Sequence, residues 1–535
     1  MYLTLTASKD TYITNKIISN AFSASDANTG KASTIDLFKL YDESFLTGVD
    51  NPVELSRGLI KFDFERIEKL SRENLNLDGS DFKCTLELFD IMGGQVTPTN
   101  FTLMLFPLSQ SFDEGIGKNV VSFSDLDVAN FVTASYKNAS NVAWYLSGAN
   151  AQGTIDKTSG TGYPADIDII VSGNLNDGNG TTGLGVSQLF KQGSENLSMD
   201  VTTIVSATIA GVLPDCGWRL SFTGSEENDA KTRFVKRFAS RHVRDKTKIP
   251  RLVVTYDDTI KDQHQNLFFD LTGSVFLKNF KRGIPASILS GTAASEVTGT
   301  DCMILKIESG SYSKQISASQ HQAGTKVLNN SISAAGADTR IFNYMTGVYS
   351  ASFAISSQDT GVIFGSTRVI DFVIASGSIT FDEIWGSVDG KVGYYTGSLT
   401  VGRNDPTSFN IAPKRLDMIV TNAKNSYKSN EKVMFRVFVR DFAANQKAAR
   451  LPYNLKSVIL EEVYYRIRDI DDDYVWVPFE EKNNATRLSS DSKGMFFETY
   501  VDYLPKGRTY TIDFLIKEAG LELIQEAKNV RFRVD

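Results

Sequence analysis

Alternation of apolar and polar residues runs through the whole chain. The stretches "YLTLTA", "SRGLIKFDF", "FKCTLELFD", "TNFTLMLF", "GWRLSFTG", "PRLVVTY", "VMFRVFVRDF" and "YTIDFLI" set β-branched and aromatic residues against polar alternates. That spacing gives a strand one buried and one wet face. Turn signals such as "DGS", "MGG", "NDGNG", "TGSL" and "PKGR" separate the strands at short intervals. Helical periodicity is confined to residues 64–74, 124–135 and 199–211, each predicted as a short helix inserted in a β framework. The pattern predicts an all-β, multi-domain chain, a string of β-sandwiches.

Shifts in composition divide the string. Residues 1–258 mix charged strands with long loops and close on "PRLVVTYDD". Over 259–413 charge thins and Gly, Ser, Thr and Ala take over, as in "SGTAASEVTGTD", which predicts a second β-sandwich with small exposed side chains. Pro406 and Pro413 favour an extended linker in "RNDPTSFNIAPKRLD". Residues 414–535, rich in aromatics and charge, have the length of one immunoglobulin-like sandwich. A chain of 535 residues is too long for one core, so two to four domains are expected on length alone.

Charge narrows the function classes. Acids outnumber bases by 63 to 56, a net charge of −7, with 41% hydrophobic and 22% charged residues. These are values for a folded globular protein, and the acidic balance argues against whole-molecule attraction to nucleic acid or anionic membrane. No stretch approaches the roughly 18 apolar residues of a membrane span. "MYLTLTASKDTYITNK" lacks a basic region followed by an apolar one, so no signal peptide is expected. Cys84, Cys216 and Cys302 are far apart and follow no metal-ligand spacing, as expected of thiols in a reducing cytosol.

One local run opposes the acidic balance: residues 231–251 hold nine Lys and Arg against one acid, Asp245. The alternation makes it the approach to the last two strands of the first domain. Phe234, Phe238 and Val243 are predicted to face the core, and Leu252, Val254 and Tyr256 to share one side of the closing strand. Arg233, Arg237, Arg241 and Arg251 then point to solvent or to neighbouring acids. The excess at Lys236, Arg244, Lys246 and Lys248, read as lying near a hairpin tip, offers a contact for an acidic patch on a neighbouring subunit.

Several stretches of the N-terminal half, in order, resemble the DNRLRE family of β-sandwich domains, a jelly-roll type found in surface and secreted proteins. "ASKDTYITNK" resembles the family's opening strand. "SRGLIKFDFERI" is similar to its Arg-x-Leu strand, with Arg57, Leu59, Phe62 and Asp63 in matching places. "SFDEGIGK" resembles its Trp-x-Glu-Gly-x-Gly loop, with Phe112 standing where Trp is usual. "NVAWYLSG" supplies Trp144, and "LSMDVTTIVSATIAG" looks like the family's Asp-Val-Thr segment. "FASRHVRDKTKIPRLVVTY" resembles the closing pair of strands, with His242 replacing the expected Glu. The resemblance implies a jelly-roll fold and a structural or binding role; it carries no catalytic residues. In the last domain "GMFF…YLPKGRTYTIDF" resembles immunoglobulin-like modules in general.

Chemistry is sparse. His242, His264 and His321 are the only histidines, and none sits in a Gly-x-Ser-x-Gly elbow or an H-E-x-x-H motif. Asp113 with Glu114, and Asp382 with Glu383 beside Trp385, are acids of the type that a glycosidase pairs across the scissile bond. Neighbouring acids on a strand point to opposite faces, however, so each pair offers one carboxylate to a cleft. Asp469, Asp471 and Asp473 begin like a Ca²⁺ loop, but Tyr474 stands where Gly is needed. Asn174, Asn176 and Asp177 form a second polar turn. The expectation is no catalytic residue and no cofactor, with a structural Ca²⁺ left open at these turns. No phosphate-binding loop is present.

Sandwiches without a catalytic constellation, a first domain similar to exported ones and no export signal fit together in one setting. They predict a virion component of a tailed bacteriophage in tail, baseplate, neck or head decoration, made in the host cytoplasm and acting through other virion proteins or as a homo-oligomer. The alternative is a carbohydrate-binding or adhesive surface protein that contacts a host-surface glycan, with Tyr394 and Tyr395 stacking on sugar.

Overall fold

The computed structural model describes residues 1–19, 21–41, 53–73, 75, 77, 79–94, 96–123, 125–156, 166–175, 181–291, 293–322, 344–403, 415–442, 457–518 and 520–535. Pro406, Pro413, Asn176 and Asp177 lie outside them. Among the described residues no helix is long and apolar enough to cross a membrane.

The alternating stretches become strands. Phe101–Pro107 and Lys432–Asp441 each turn every second side chain inward. In the first unit, one sheet lines up Tyr2–Thr6, Arg251–Thr255, Lys83–Leu88 and Leu197–Asp200. The facing sheet holds Val186–Phe190, Phe101–Pro107, Trp218–Phe222, Val53–Lys61, Thr34–Tyr41 and Arg233–Ala239, with Lys9–Thr14 also paired to Val53–Lys61. The first and last strands of the unit are thus hydrogen-bonded to each other, Leu3 opposite Val254. The apolar faces meet in a core that includes Phe62, Leu86, Phe101, Phe190, Trp218 and Phe238.

The second unit is one seven-stranded sheet in the order Leu267–Phe268, Gly393–Gly402, Ser378–Gly386, Met303–Ser309, Tyr312–Gln322, Tyr344–Phe353, Gly273–Lys278. Its two outermost strands are near neighbours in sequence, so the sheet rolls over and its halves enclose one core around Phe381, Trp385 and Tyr349. The third unit is an immunoglobulin-like sandwich. One sheet contains Leu416–Val420, Lys432–Asp441, Gly494–Tyr500 and Ser489–Asp491; the other is built on Glu462–Asp469 and Thr509–Glu518.

The units are packed against one another. Tyr2 and Val253 of the first unit belong to the core of the third, beside Phe435, Tyr465 and Phe497. Asn483 donates to the Thr255 hydroxyl at 2.8 Å and Asn484 to Asp257 at 3.1 Å. The connection from first to second unit runs along the third, with Ser490 donating its amide to Ile260 at 2.8 Å and its hydroxyl to Asp262 at 3.0 Å.

Helices form at Glu65–Glu73 and Thr202–Ile209, inside two of the three predicted stretches. The third, over 124–135, does not. Asn130 Oδ1 takes the amides of Val132 and Thr133 at 2.8 and 2.6 Å, and Asn130 Nδ2 donates to the Leu126 carbonyl. The side chain satisfies the backbone locally and turns it into the strand Thr133–Lys137. A helix over Val369–Ser376, closed by Gly377 at φ 75°, was not expected.

Candidate functional site

Among the described residues two clusters, one partly and one largely buried, join carboxylates to histidines. The first lies in the first unit. Asp10 sits on the strand Lys9–Thr14, Glu114 on the loop after Phe101–Pro107, and His242 just beyond Arg233–Ala239. The loop is shaped by Asn28, which is fully buried; its Nδ2 donates to the Glu114 carbonyl and its Oδ1 accepts from Gly30 and Gly117. A Cβ on Gly117 would stand 2.0 Å from the Asn28 carbonyl oxygen, and Gly115 has φ 79°. Only glycine fits this close, left-handed approach, which explains the "EGIG" spacing.

Within this cluster Asp10 Oδ2 accepts the Arg241 amide at 2.6 Å, and Glu114 Oε1 accepts the Asp10 amide at 2.9 Å. Arg241 Nε stands 3.4 Å and His242 Nε2 3.5 Å from Glu114 Oε1. Burial pushes the Asp10 carboxyl up to about 7; the Arg241 amide bond opposes the rise and the Glu114 charge adds to it. Asp10 Oδ1 and His242 Nε2 are shielded from water and have no hydrogen-bond partner.

The second cluster closes the rolled sheet of the second unit. His264 Nδ1 meets Asp262, while its Nε2 lies 3.0 and 3.1 Å from the two oxygens of Glu383. Trp385 Nε1 donates to Glu383. Asp262, Glu383 and Trp385 are all buried. Burial alone would lower the imidazole pKa, but hydrogen bonds to both carboxylates and their charges raise it to about 10. The result is an imidazolium clamped between two acids, a bracket between the inter-unit connection and the strand Ser378–Gly386.

No family model matches the chain. No curated protein does either. Among solved structures the chain is similar to trypsin-activated α2-macroglobulin from Escherichia coli, at 8% identity and TM-score 0.16 over 92% of this chain and 23% of that one. It is also similar to titin A168–169 (8%, TM-score 0.14, 52% of this chain and 97% of that one) and to the BSP domain of a biofilm-associated protein (10%, 0.14, 96% and 68%). This chain therefore spans under a quarter of the macroglobulin's length. Likenesses at these scores carry no argument about function.

The structure separates the other sequence candidates. Asp382 is exposed and Glu383 buried, opposite faces of one strand as the alternation requires. Trp385, the aromatic beside that acid pair, is fully buried, because its position shares the inward face with Phe381 and Glu383. Tyr394 is tied to Ser290 at 3.0 Å, whereas Tyr395 is exposed. The Asp469–Asp473 turn is filled by arginine: Arg508 binds Asp469 at 2.7 Å and Asp472 at 2.6 Å, and Arg468 binds Asp473 at 2.6 Å. Two guanidinium groups thus bind Asp469 and Asp473, two of the three acids the sequence offered for Ca²⁺. His321 packs edge-on against Phe276, and burial lowers its pKa.

The basic run resolves into paired charges. Arg233 pairs with Asp229, Arg237 with Asp36, Arg241 with Glu114 and Arg251 with Glu87. Phe238 and Val243 are buried, as are Leu252, Val254 and Tyr256, but Phe234 is exposed. Lys236 lies two residues before Phe238 and shares its inward face, while a register shift between Arg233 and Lys236 breaks the alternation ahead of it and leaves Phe234 outside. Lys236 is fully buried, its ammonium bound to Asp90 at 2.5 Å and to the carbonyls of Gly193 and Glu195. It therefore offers nothing to a neighbouring subunit. Arg244 and Lys246 are exposed and Lys248 is half-buried, on a short turn capped by Asp245. Lys246 borders a groove between the first and third units with Trp476, Pro505 and Lys506.

Sequence reasoning passed over Asp10 and Asp262. Asp262 and His264 are two apart, and the Asp262 side chain accepts the His264 amide at 3.0 Å, a local turn that brings the two side chains together. Asp10 offered no signal of its own, since its partners lie about a hundred residues away and more.

Proposed function

We propose that the chain is a structural component of a tailed-phage particle, working through protein–protein contacts with other virion proteins or further copies of itself. The observation that carries the reading is the edge strand Leu521–Glu526. It hydrogen-bonds to Thr509–Glu518 on one side, and among the described residues no strand covers its other side. Leu521, Leu523 and Ile524 stand exposed along it. An open strand edge with apolar side chains is a template for a further strand or subunit, and soluble proteins seldom leave one bare. The jelly-roll reading of the first unit belongs to the same proposal.

Two features agree with this role. The first and third units are joined through shared core residues, which suits a stiff assembly part, and one acid nominated for glycoside hydrolysis, Glu383, is bound within the fold by His264 and Trp385. The adhesive reading retains Tyr395 as its exposed aromatic. Mass spectrometry of purified particles tests the proposal: the chain is expected in stoichiometric amount, and its absence would refute a virion role. A glycan array decides the adhesive reading, with binding lost on Tyr395→Ala as its signature.

A further inference from the structure

We infer that the first unit binds a first-row divalent metal ion, Zn²⁺ foremost, between Asp10, Glu114 and His242. One donor atom from each residue lies within 4.8 Å of the other two. Glu114 Oε1 and His242 Nε2 are 3.5 Å apart. That is long for a hydrogen bond, yet close to the edge of about 3.4 Å of a tetrahedron whose ligands sit about 2.1 Å from the ion.

A second observation points to a ligand. Asp10 is 1% exposed, and its Oδ1 has no hydrogen-bond partner. His242 Nε2, also shielded, has none either. Buried polar atoms are almost always paired, so two orphaned ligand atoms in one cluster call for an ion between them. The other oxygen of Asp10 is held by the Arg241 amide and Glu114 by the Asp10 amide, which fixes both carboxylates in place.

Charge agrees. Arg241, anchored on the Ser8 carbonyl, offsets one of the two carboxylates. Lys9 and Asp113 alongside, 3.5 Å apart, offset each other. One carboxylate is left without a counter-charge. The Glu114 and His242 side chains, 16% and 27% exposed, give an ion a way in.

Donor type selects the metal. Ca²⁺ takes six to eight oxygens and Mg²⁺ an octahedral oxygen shell, whereas one imidazole with two carboxylates suits Zn²⁺ or its neighbours. Three protein ligands leave a fourth position to water. The ion would pin the opening strand to the "EGIG" loop and to the segment leading into the closing strand, joining parts of the chain more than 200 residues apart, from Asp10 to His242.

The test is metal analysis of the full chain, stripped with chelator and dialysed against excess ZnCl₂. One zinc per chain is expected, with a higher melting temperature in Zn²⁺ than in chelator. Asp10→Asn, Glu114→Gln and His242→Gln should each lose the metal, and His321→Gln should keep it. Should Asp10→Asn fail to fold, the other two, at partly exposed positions, decide alone. Zinc-free wild-type protein would overturn the inference, as would equal zinc in wild type and His242→Gln, which is adventitious surface binding. A melting rise with Ca²⁺ and none with Zn²⁺ would overturn the choice of metal.

Discussion

His264 should titrate far above an ordinary histidine, and the second unit should lose stability as the medium turns alkaline. Its folded pKa of about 10 stands against about 6.5 for an unconstrained imidazole. The folded state holds the proton more tightly, so the stabilisation is complete below about pH 6.5 and disappears as pH rises through 10. At 1.36 kcal/mol per unit, the full contribution is on the order of 4–5 kcal/mol, and about 3 kcal/mol of it goes between pH 6 and pH 9. The ring is nine-tenths buried between Asp262 and Glu383, so solvent screens little of this. With three histidines in the chain, selective labelling gives three ring resonances by NMR. One is expected to stay protonated past pH 9 and to vanish from the spectrum of His264→Gln. Thermal unfolding should show the alkaline loss in wild type and a flatter profile in His264→Gln, whose neutral amide cannot exchange the proton. A His264 resonance titrating near 6.5, or the same alkaline slope in both proteins, would refute the reasoning.

Other outcomes follow from the charge pairs and the edge strand. Arg57 and Glu227 are both buried in a two-pronged ion pair at 2.6 and 2.9 Å, so Glu227→Gln should cost about 3 kcal/mol by stranding the guanidinium, measured by urea unfolding of the full chain. Lys236→Met should cost a similar amount, about 3 kcal/mol, because it leaves the Asp90 carboxylate and two carbonyls without their cation; a change near zero would mean the ammonium is wet. Leu523→Lys with Ile524→Lys should leave the melting temperature within a degree or so, since both side chains are exposed, while reducing self-association in analytical ultracentrifugation or incorporation into particles. Arg244→Glu with Lys246→Glu should likewise leave stability unchanged; intact particle assembly would remove this turn from the contact surface.

The alternation carried most of the fold because it reflects a local rule: one face wet, one face buried. It failed where a side chain overrode that rule. Asn130 captured backbone donors and turned a helix-like stretch into a turn. Ahead of Lys236 a register shift took Phe234 off the inward face that Lys236 and Phe238 share. Period two from Phe238 puts position 236 inward, but that a lysine can sit there depends on Asp90 and two carbonyls from a loop some forty residues back meeting its ammonium. The sites were harder still. Glu114, His242, His264 and Glu383 were each visible as chemistry-bearing residues, yet neither cluster could be assembled from spacing, since Asp10 reaches Glu114 across 104 residues and His264 reaches Glu383 across 119. What the sequence did contain was their supports. The "EGIG" spacing suits a loop packed on Asn28, where a Cβ on Gly117 would stand 2.0 Å from the Asn28 carbonyl oxygen, and the Asn28 side chain holds Glu114 where the Asp10 amide can meet it.

The basic run shows the same division between local and distant causes. Read alone, nine cations in 21 residues suggest a polyanion surface; in the fold, partners from other strands and loops take up Arg233, Lys236, Arg237, Arg241 and Arg251. A pair that holds two strands together uses the same charge that would otherwise bind a phosphate, and it cannot do both at full strength. Any electrostatic docking by this segment therefore falls to the remaining four, Lys231, Arg244, Lys246 and Lys248, of which Lys246 borders the groove that the third unit completes with Lys506. A partner seated there would touch two units at once. Its acidic groups would have to reach across the seam whose core already includes Tyr2 and Val253, so docking and the packing of first unit on third would be coupled.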